Sequence, residues 1–449
     1  MHAKSSDLAA QWQVTEKIAK RDITSNIQIP MFKTSNGLQS SCLLFGACDL
    51  EFPHLVLHAL HGCKLHGRSF TIAVVKKQMI IDLIAGARPN FMKIAPIIHA
   101  IQARDANLAY RLVHTGQHYD NNMSATFFEA LAIPAPDVNL GAGGGTQAEQ
   151  TAAIMTGYEK VLSDAQTDLC LVVGDVTSTL ACAVVARKMG VAVAHVEAGI
   201  RSGDWRMPEE INRVVTDSLT NYFFTTSKTA NANLKRCGVP EENIFFVGNT
   251  MIDTLLANMH RLREPLIWEQ AGLRDGGYIV LTLHRPANVD QEGRLKDFME
   301  QIVWHSKGLP LVFPVHPRTA KMLQRLGIQA ENLITTEPLG YLEFNFLVKH
   351  AKAVLTDSGG ITEETTVMGV PCMTLRDNTE RPETITLGTN ELIGTDPAAI
   401  GPAMERLFGG RWKKGGVPPL WDGKTAERIV DVLENIATMK SMKDMKLQP

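Results

Sequence analysis

The pattern of apolar and polar positions changes at Met79. Residues 1–78 carry short mixed stretches with neither a 3.6-residue nor a two-residue period. From Met79 onward, short apolar runs alternate with stretches of helical spacing. Ile80–Ala85 suits a strand buried on both faces, Gly86–Pro89 breaks it, and Phe91–Gln102 has helical spacing. Further strands are predicted at Leu169–Val173, Val191–Val196 and Tyr222–Thr225. Helices are predicted at Thr177–Lys188, Pro208–Leu219 with proline in its first turn, and Lys228–Cys237 stopped by Gly238. A connecting helix over Met251–Arg263 follows, and the alternation restarts. Strands are predicted at Tyr278–Leu283, Leu311–Val315, Asn332–Thr335, Ala353–Thr356 and Cys372–Leu375, with helices between them such as Tyr341–His350 and Ile361–Met368. Two such runs predict an α/β protein with two doubly wound, Rossmann-like parallel-sheet domains facing each other across a cleft. The expected organisation is an extension over 1–78, a first domain over 79–255, a second over 256–422, and a last helix within 423–449 that packs back on the first domain.

Gly141–Gly145 lacks the spacing of a dinucleotide fingerprint directly after a strand, so a flexible loop before a helix near Gln147 is expected. Composition narrows the function classes. In 449 residues, 45 basic and 47 acidic side chains leave a formal charge of −2, which argues against a broad nucleic-acid footprint. Seven cysteines without a CxxC pair argue against a disulfide framework or zinc ribbon and fit a reducing, cytoplasmic setting. No apolar run reaches the roughly 18 residues of a membrane span, and the first residues lack the pattern of a secretory signal. His54, His58, His61, Cys63 and His66 crowd the end of the extension, but their spacing matches no ligand pattern, and no metal is expected.

Ligands of open parallel sheets bind beyond the carboxyl ends of the strands, so polar residues there carry the functional signal. Arg88, Asp175 and Glu197 follow predicted strands, and Glu209 and Glu210 open a helix. His284, Arg285 and His316 end strands of the second run, and Asp357–Gly360 joins a strand to a helix carrying Glu363 and Glu364. Singly, each has a structural explanation: a carboxylate complements a helix dipole, a histidine satisfies a strand end, Asp357 and Ser358 cap a helix. Jointly they describe a site. Ser358, Gly359 and Gly360 present free N–H groups and the positive end of a helix, which suits a diphosphate. Glu364, about one turn on, suits the two hydroxyls of a ribose, and Arg88 suits the same phosphates from the other domain.

From Met79 to near the C-terminus the chain resembles the UDP-N-acetylglucosamine 2-epimerase family, in particular its bacterial, non-hydrolysing members. The resemblance rests on Gly86–Pro89 with Lys93, Gly174–Asp175, His195–Gly199, Met207–Arg213, Gly248–Asp253, His284–Arg285, Pro314–Pro317, Thr356–Gly360, and Arg376–Asp377 with Thr379–Glu383, in this order. It implies a GT-B-like fold and elimination of UDP from the sugar through 2-acetamidoglucal, followed by re-addition. It matches Asp175, Glu197, Glu209 and His284 to catalytic positions. It matches Arg88, Lys93, His316, Ser358, Gly359, Gly360, Glu364 and Arg381 to substrate-binding positions. It implies no cofactor, a UDP-sugar substrate that also serves as an allosteric activator, no nucleic-acid or membrane partner, a homodimer, and a role in surface polysaccharide synthesis. Many members carry glutamate where this chain has Asn90, which removes a charge expected beside the cleft and bears on substrate preference. A hydrolysing epimerase, an epimerase of a modified sugar such as a 2,3-diacetamido uronic acid, a GT-B glycosyltransferase and a non-catalytic sensor are the alternatives. The enzyme proper is expected to start at Met79, with residues 1–78 dispensable or the product of an upstream start.

Overall fold

The computed structural model describes residues 78–104, 107–116, 131–289, 292–315 and 317–446; the 1–78 extension, save Gln78, and its histidine cluster lie outside them. Two sheets organise the described residues. The first comprises β1 (Met79–Ala85), β2 (Leu108–His114), β3 (Val138–Asn139), β4 (Leu169–Val173), β5 (Ala192–Val196), β6 (Tyr222–Thr225) and β7 (Ile244–Phe246). Its order is β3-β2-β1-β4-β5-β6-β7, and every pairing is parallel. The second comprises β8 (Ile279–Thr282), β9 (Leu311–Pro314), β10 (Leu333–Thr336), β11 (Ala353–Thr356), β12 (Cys372–Thr374) and β13 (Asn390–Leu392). Its order, β10-β9-β8-β11-β12-β13, repeats the same doubly wound logic with parallel pairings. The architecture is GT-B-like, and the two-sheet expectation holds.

Strand β1 explains why the first sheet needs helices on both faces. Ile81, Leu83 and Ala85 point into one apolar cluster with helix α1 (Arg88–Gln102), and Ile84 points into another on the opposite face. The second cluster is closed by α2 (Gln147–Asp164) and α3 (Thr177–Lys188). Asp82 is fully buried within β1, and three donors reach its Oδ2. These are the Tyr158 hydroxyl at 3.0 Å, the Thr167 hydroxyl at 3.0 Å and the Arg111 guanidinium at 2.8 Å. Helix α4 (Pro208–Leu219) follows β5, and α5 (Thr250–Asn258) leads towards the second sheet.

The final helices serve both halves. In the second half, α6 (Tyr341–His350), α7 (Gly359–Met368) and the short α8 (Pro382–Thr386) surround β11 and β12. Helix α9 (Thr425–Lys446) returns to the first sheet, where Ala426, Ile429, Val430, Leu433 and Ile436 join the cluster of β1 and α1. That spacing is a single helical stripe. Arg104 ties the same helix down through Asp431 at 2.6 Å.

Several elements escaped the sequence pattern. Strand β2 reads Leu-Ala-Tyr-Arg-Leu-Val-His, and Tyr110 and Arg111 interrupt its apolar run because this part of the strand is only half-buried. Strands β3, β7 and β13 span two or three residues, too few for any period to register. The glycine cluster is better anchored than expected. Ala142 N donates to Thr115 O at 2.8 Å, and a Cβ on Gly143 would lie 2.5 Å from Gly116 O, so the loop packs directly on the turn after β2. Thr146 and Glu149 then start α2 with a reciprocal capping box.

Leu433 is fully buried in the first-domain cluster, far along the chain from every candidate site residue. Leu433→Ala should lower stability by about 2–4 kcal/mol, read as a shifted urea midpoint, while leaving substrate affinity unchanged.

Candidate functional site

In each sheet the strand order reverses between the first and fourth strands, β1 and β4 in one and β8 and β11 in the other. The crevices at such switch points receive ligands. At the first, β4 ends in Gly174, whose φ of +66° turns the chain sharply into Asp175. Buried His195 locks this turn: its Nε2 meets Gly174 O at 2.8 Å and its Nδ1 meets Asp217 Oδ1 at 2.7 Å. His195 is thus a structural pin inside the His195–Gly199 motif. Two residues on, Glu197 adopts φ +71°, a left-handed conformation that non-glycine residues seldom hold.

Glu197 is buried and ion-paired with Lys93 from α1. Its other oxygen lies 3.4 Å from Arg381 Nη2 of the second domain. Burial disfavours its ionisation, yet Lys93 and Arg381 hold its carboxyl below the usual range. Lys93 therefore lies at the meeting of the two domains with its ammonium committed to Glu197. Asp175 accepts both Nε (3.0 Å) and Nη2 (2.7 Å) of Arg213 on its Oδ2. Burial again opposes its charge, and Arg213, Lys93 and Arg381 together keep it ionised.

The two adjacent glutamates of α4 separate cleanly. Glu210 is buried and accepts Ser202 N at 2.8 Å, Gly203 N at 3.1 Å and Arg213 Nη1 at 2.7 Å. Glu209 is exposed in the first helical turn, within electrostatic range of Arg285 of the second domain. Glu210 holds the preceding loop in place, and Glu209 has a carboxylate to offer.

Asn90 requires a correction. The position lies beside Gly174, near Lys93 and Glu197, but as a buried hydrogen-bonding group rather than an open one. The side chain is buried, accepting Gly86 N at 3.1 Å and Ala87 N at 2.9 Å and donating to Val173 O at 3.0 Å. It couples the Arg88 turn to the end of β4, and its amide donates where a carboxylate has nothing to give. The side chain of Arg88, like all of His316, lies outside what the structure describes.

At the second switch point Asp357 is fully buried at the end of β11. It accepts His284 Nδ1 at 2.7 Å, the Arg285 N–H at 2.9 Å and Asn288 Nδ2 at 3.0 Å. His284 is exposed, and with Nδ1 engaged its Nε2 is the nitrogen left for chemistry. Ser358, Gly359 and Gly360 form the next turn and enter α7. A Cβ on Gly359 would lie 3.5 Å from Arg381 Nη1 and 3.9 Å from Arg376 Nη1, so two guanidinium groups flank the first turn. Such a helix start suits an anion twice over, by its N–H groups and by its neighbours.

Glu364, on the same helix, is buried beside Tyr341 and 3.4 Å from Asn345 Nδ2. Burial pushes its carboxyl up to about 7. Glu363 is buried too and paired with Arg381, and burial raises its carboxyl above the ordinary range. Sequence reasoning gave no role to Arg213 or Glu380. Arg213 falls one helical turn after Glu209, a spacing that signals a shared face, but its partner Asp175 is distant in sequence. Glu380 accepts Arg376 Nη1 at 2.8 Å and Nη2 at 2.6 Å.

Comparison with known proteins gives a consistent result. Residues 99–434 match the family model described as UDP-N-acetylglucosamine 2-epimerase. A curated UDP-N-acetylglucosamine 2-epimerase from Methanocaldococcus jannaschii is 42% identical over 367 residues, covering 79% of this chain and 99% of that protein. The UDP-2,3-diacetamido-2,3-dideoxy-D-glucuronate 2-epimerase of Pseudomonas aeruginosa is 41% identical, over 70% of this chain and 88% of that one. Among solved structures, the M. jannaschii UDP-GlcNAc 2-epimerase in complex with UDP-GlcNAc and UDP is similar with a TM-score of 0.72, at 41% identity, over 79% of this chain and 99% of that one. With a family model spanning most of the chain and relatives matched over nearly their whole length, this protein belongs to the UDP-N-acetylglucosamine 2-epimerase family.

Proposed function

We propose that the protein interconverts UDP-N-acetylglucosamine and UDP-N-acetylmannosamine without hydrolysis. The observation that carries this reading is the ion pair between Glu197 and Arg381, which flanks the Ser358–Gly360 turn, with Asp175 linked through Arg213 to Glu380 and exposed His284 on the same side of the second sheet. A base takes the C2 proton, the C–H electron pair becomes the C1–C2 double bond, and the C1–O bond to UDP breaks. The neutral product is 2-acetamidoglucal. Re-addition of UDP at C1 and of a proton to the other face of C2 completes epimerisation, so groups on both faces are needed. Asp175, Glu197 and Glu209 supply acid and base, and His284 Nε2 stabilises or protonates the departing diphosphate. Arg88, Lys93, His316 and Arg381 hold the UDP-sugar together with the N–H groups of Ser358, Gly359 and Gly360. Glu364 receives the ribose hydroxyls. No electron is transferred, so no redox cofactor enters. The reading includes a cytoplasmic homodimer that supplies surface polysaccharide synthesis, with the UDP-sugar also acting as activator.

The 41% identity to the P. aeruginosa enzyme supports a second reading, an epimerase of a modified UDP-sugar. A panel of UDP-sugars compared by kcat/KM separates the two.

Proton NMR in deuterated water tests the reaction. Deuterium should enter C2 and the product should remain UDP-linked; free N-acetylmannosamine would identify a hydrolysing enzyme, and absence of C2 exchange would defeat the elimination mechanism. Asp175→Asn should slow exchange by about a hundredfold or more while the protein still binds UDP.

The raised carboxyl of Glu364 gives a signed pH dependence. Ribose hydroxyls donate to the ionised form, so binding lowers its proton affinity and affinity should rise with pH through about 7. Calorimetric titration of a UDP-sugar at several pH values should show this rise, and Glu364→Gln should flatten it. A wild-type profile flat across neutral pH would remove Glu364 from the ribose contact.

A further inference from the structure

Glu380 is a buried carboxylate to which the mechanism above gives no role. It sits in the segment after β12, immediately before Arg381, with 2% of its side chain exposed. A charge buried that deeply requires partners, and Arg376 alone supplies two hydrogen bonds, at 2.8 and 2.6 Å. Two further guanidinium groups approach without forming hydrogen bonds: Arg213 Nη2 of the first domain at 3.7 Å and Arg285 Nη2 at 3.8 Å. Both are committed elsewhere. Arg213 Nη2 donates to Asp175 at 2.7 Å, and Arg285 donates through Nε to the carbonyl of Asp357, whose carboxylate holds His284. Glu380 therefore acts on them through its charge and not through directed bonds.

We propose that Glu380 is a positioning residue that reaches across the domain boundary, drawing on the charge of Arg213 so that Asp175 stays basic and aligned, while fixing Arg285 beside His284. The inference rests on the elimination reading, in which Asp175 and His284 belong to the two halves of the chemistry. Its physical content is competition. Arg213 faces Asp175, Glu210 and Glu380 together, and the negative charge of Glu380 opposes the pull of the guanidinium on Asp175. When the second domain is in place, Glu380 takes its share. The same domain brings Arg381, a cation that also holds Asp175 ionised, and the charge of Glu380 opposes it. Glu380 also separates Arg213, Arg285 and Arg376, which would otherwise repel one another near the diphosphate turn.

The sign of the expected effects distinguishes this role from structural support. Glu380→Gln keeps the shape and an acceptor for Arg376 but removes the charge. Its kcat for C2 exchange should fall about tenfold or more, while UDP affinity stays equal or tightens because the cluster is more positive. Glu380→Asp keeps the charge but withdraws it from Arg213 and Arg285, and its kcat should fall by a smaller factor with UDP affinity retained. Circular dichroism verifies folding, and calorimetry gives UDP affinity independently of turnover. A kcat for Glu380→Gln within about twofold of wild type overturns the proposal, as does a loss of UDP affinity in step with kcat. Should Glu380→Gln not fold, Glu380→Asp is judged by the same split: reduced kcat with retained UDP affinity supports the proposal, and unchanged kcat or parallel loss overturns it. Wild-type protein assayed alongside keeps the two questions apart, since its failure to exchange C2 would defeat the functional reading itself.

Discussion

Everything in the site leans on one buried run of alternating charges: Lys93, Glu197, Arg381 and Glu363. Its first two members belong to the first sheet's domain and its last two to the second. Each is almost wholly removed from water, a cost that only opposite neighbours offset. The domains can meet at this point only with the charges in register, so the run fixes their mutual placement there. Burial raises the carboxyl of Glu363, the terminal member, against the pull of Arg381, whose guanidinium also flanks the Ser358–Gly360 turn. Arg381 and Arg376 are the cations that a diphosphate would meet there.

The two crevices use the same topology for different ends. In the first domain, the turns after β4 and β5 expose carboxylates that arginine and lysine keep ionised despite burial. In the second, the turn after β11 exposes backbone N–H groups, and its carboxylate Asp357 is turned inward to orient a histidine. One crevice offers proton acceptors and the other offers N–H donors to an anion. A sugar bearing an acidic C–H next to a departing diphosphate matches that division.

Much of this was legible in the sequence because strand ends are legible. β4, β6 and β11, and helices α3 and α6, follow from their apolar patterns, α4 from the proline at its start, and the rule that ligands bind beyond strand ends then points to Asp175, Glu197, His284 and Ser358 without coordinates. The hidden features depended on long-range pairing. Nothing local says that Arg213 clasps Asp175, 38 positions away, or that Arg381 reaches Glu197 across 184 positions. The partners of Asn90 were hidden for the same reason: its amide completes a contact with Val173, a strand neighbour that sequence order does not reveal.

Glu197 carries a consequence of its own. Its backbone occupies a region where glycine is at ease and any other residue is strained by about 1–2 kcal/mol. Adaptation towards greater robustness would favour glycine there, and the same change would erase the carboxylate that meets Lys93 and Arg381. At this one position folding and chemistry pull in opposite directions. On the proposed mechanism, glutamate at this position is durability forgone for reactivity.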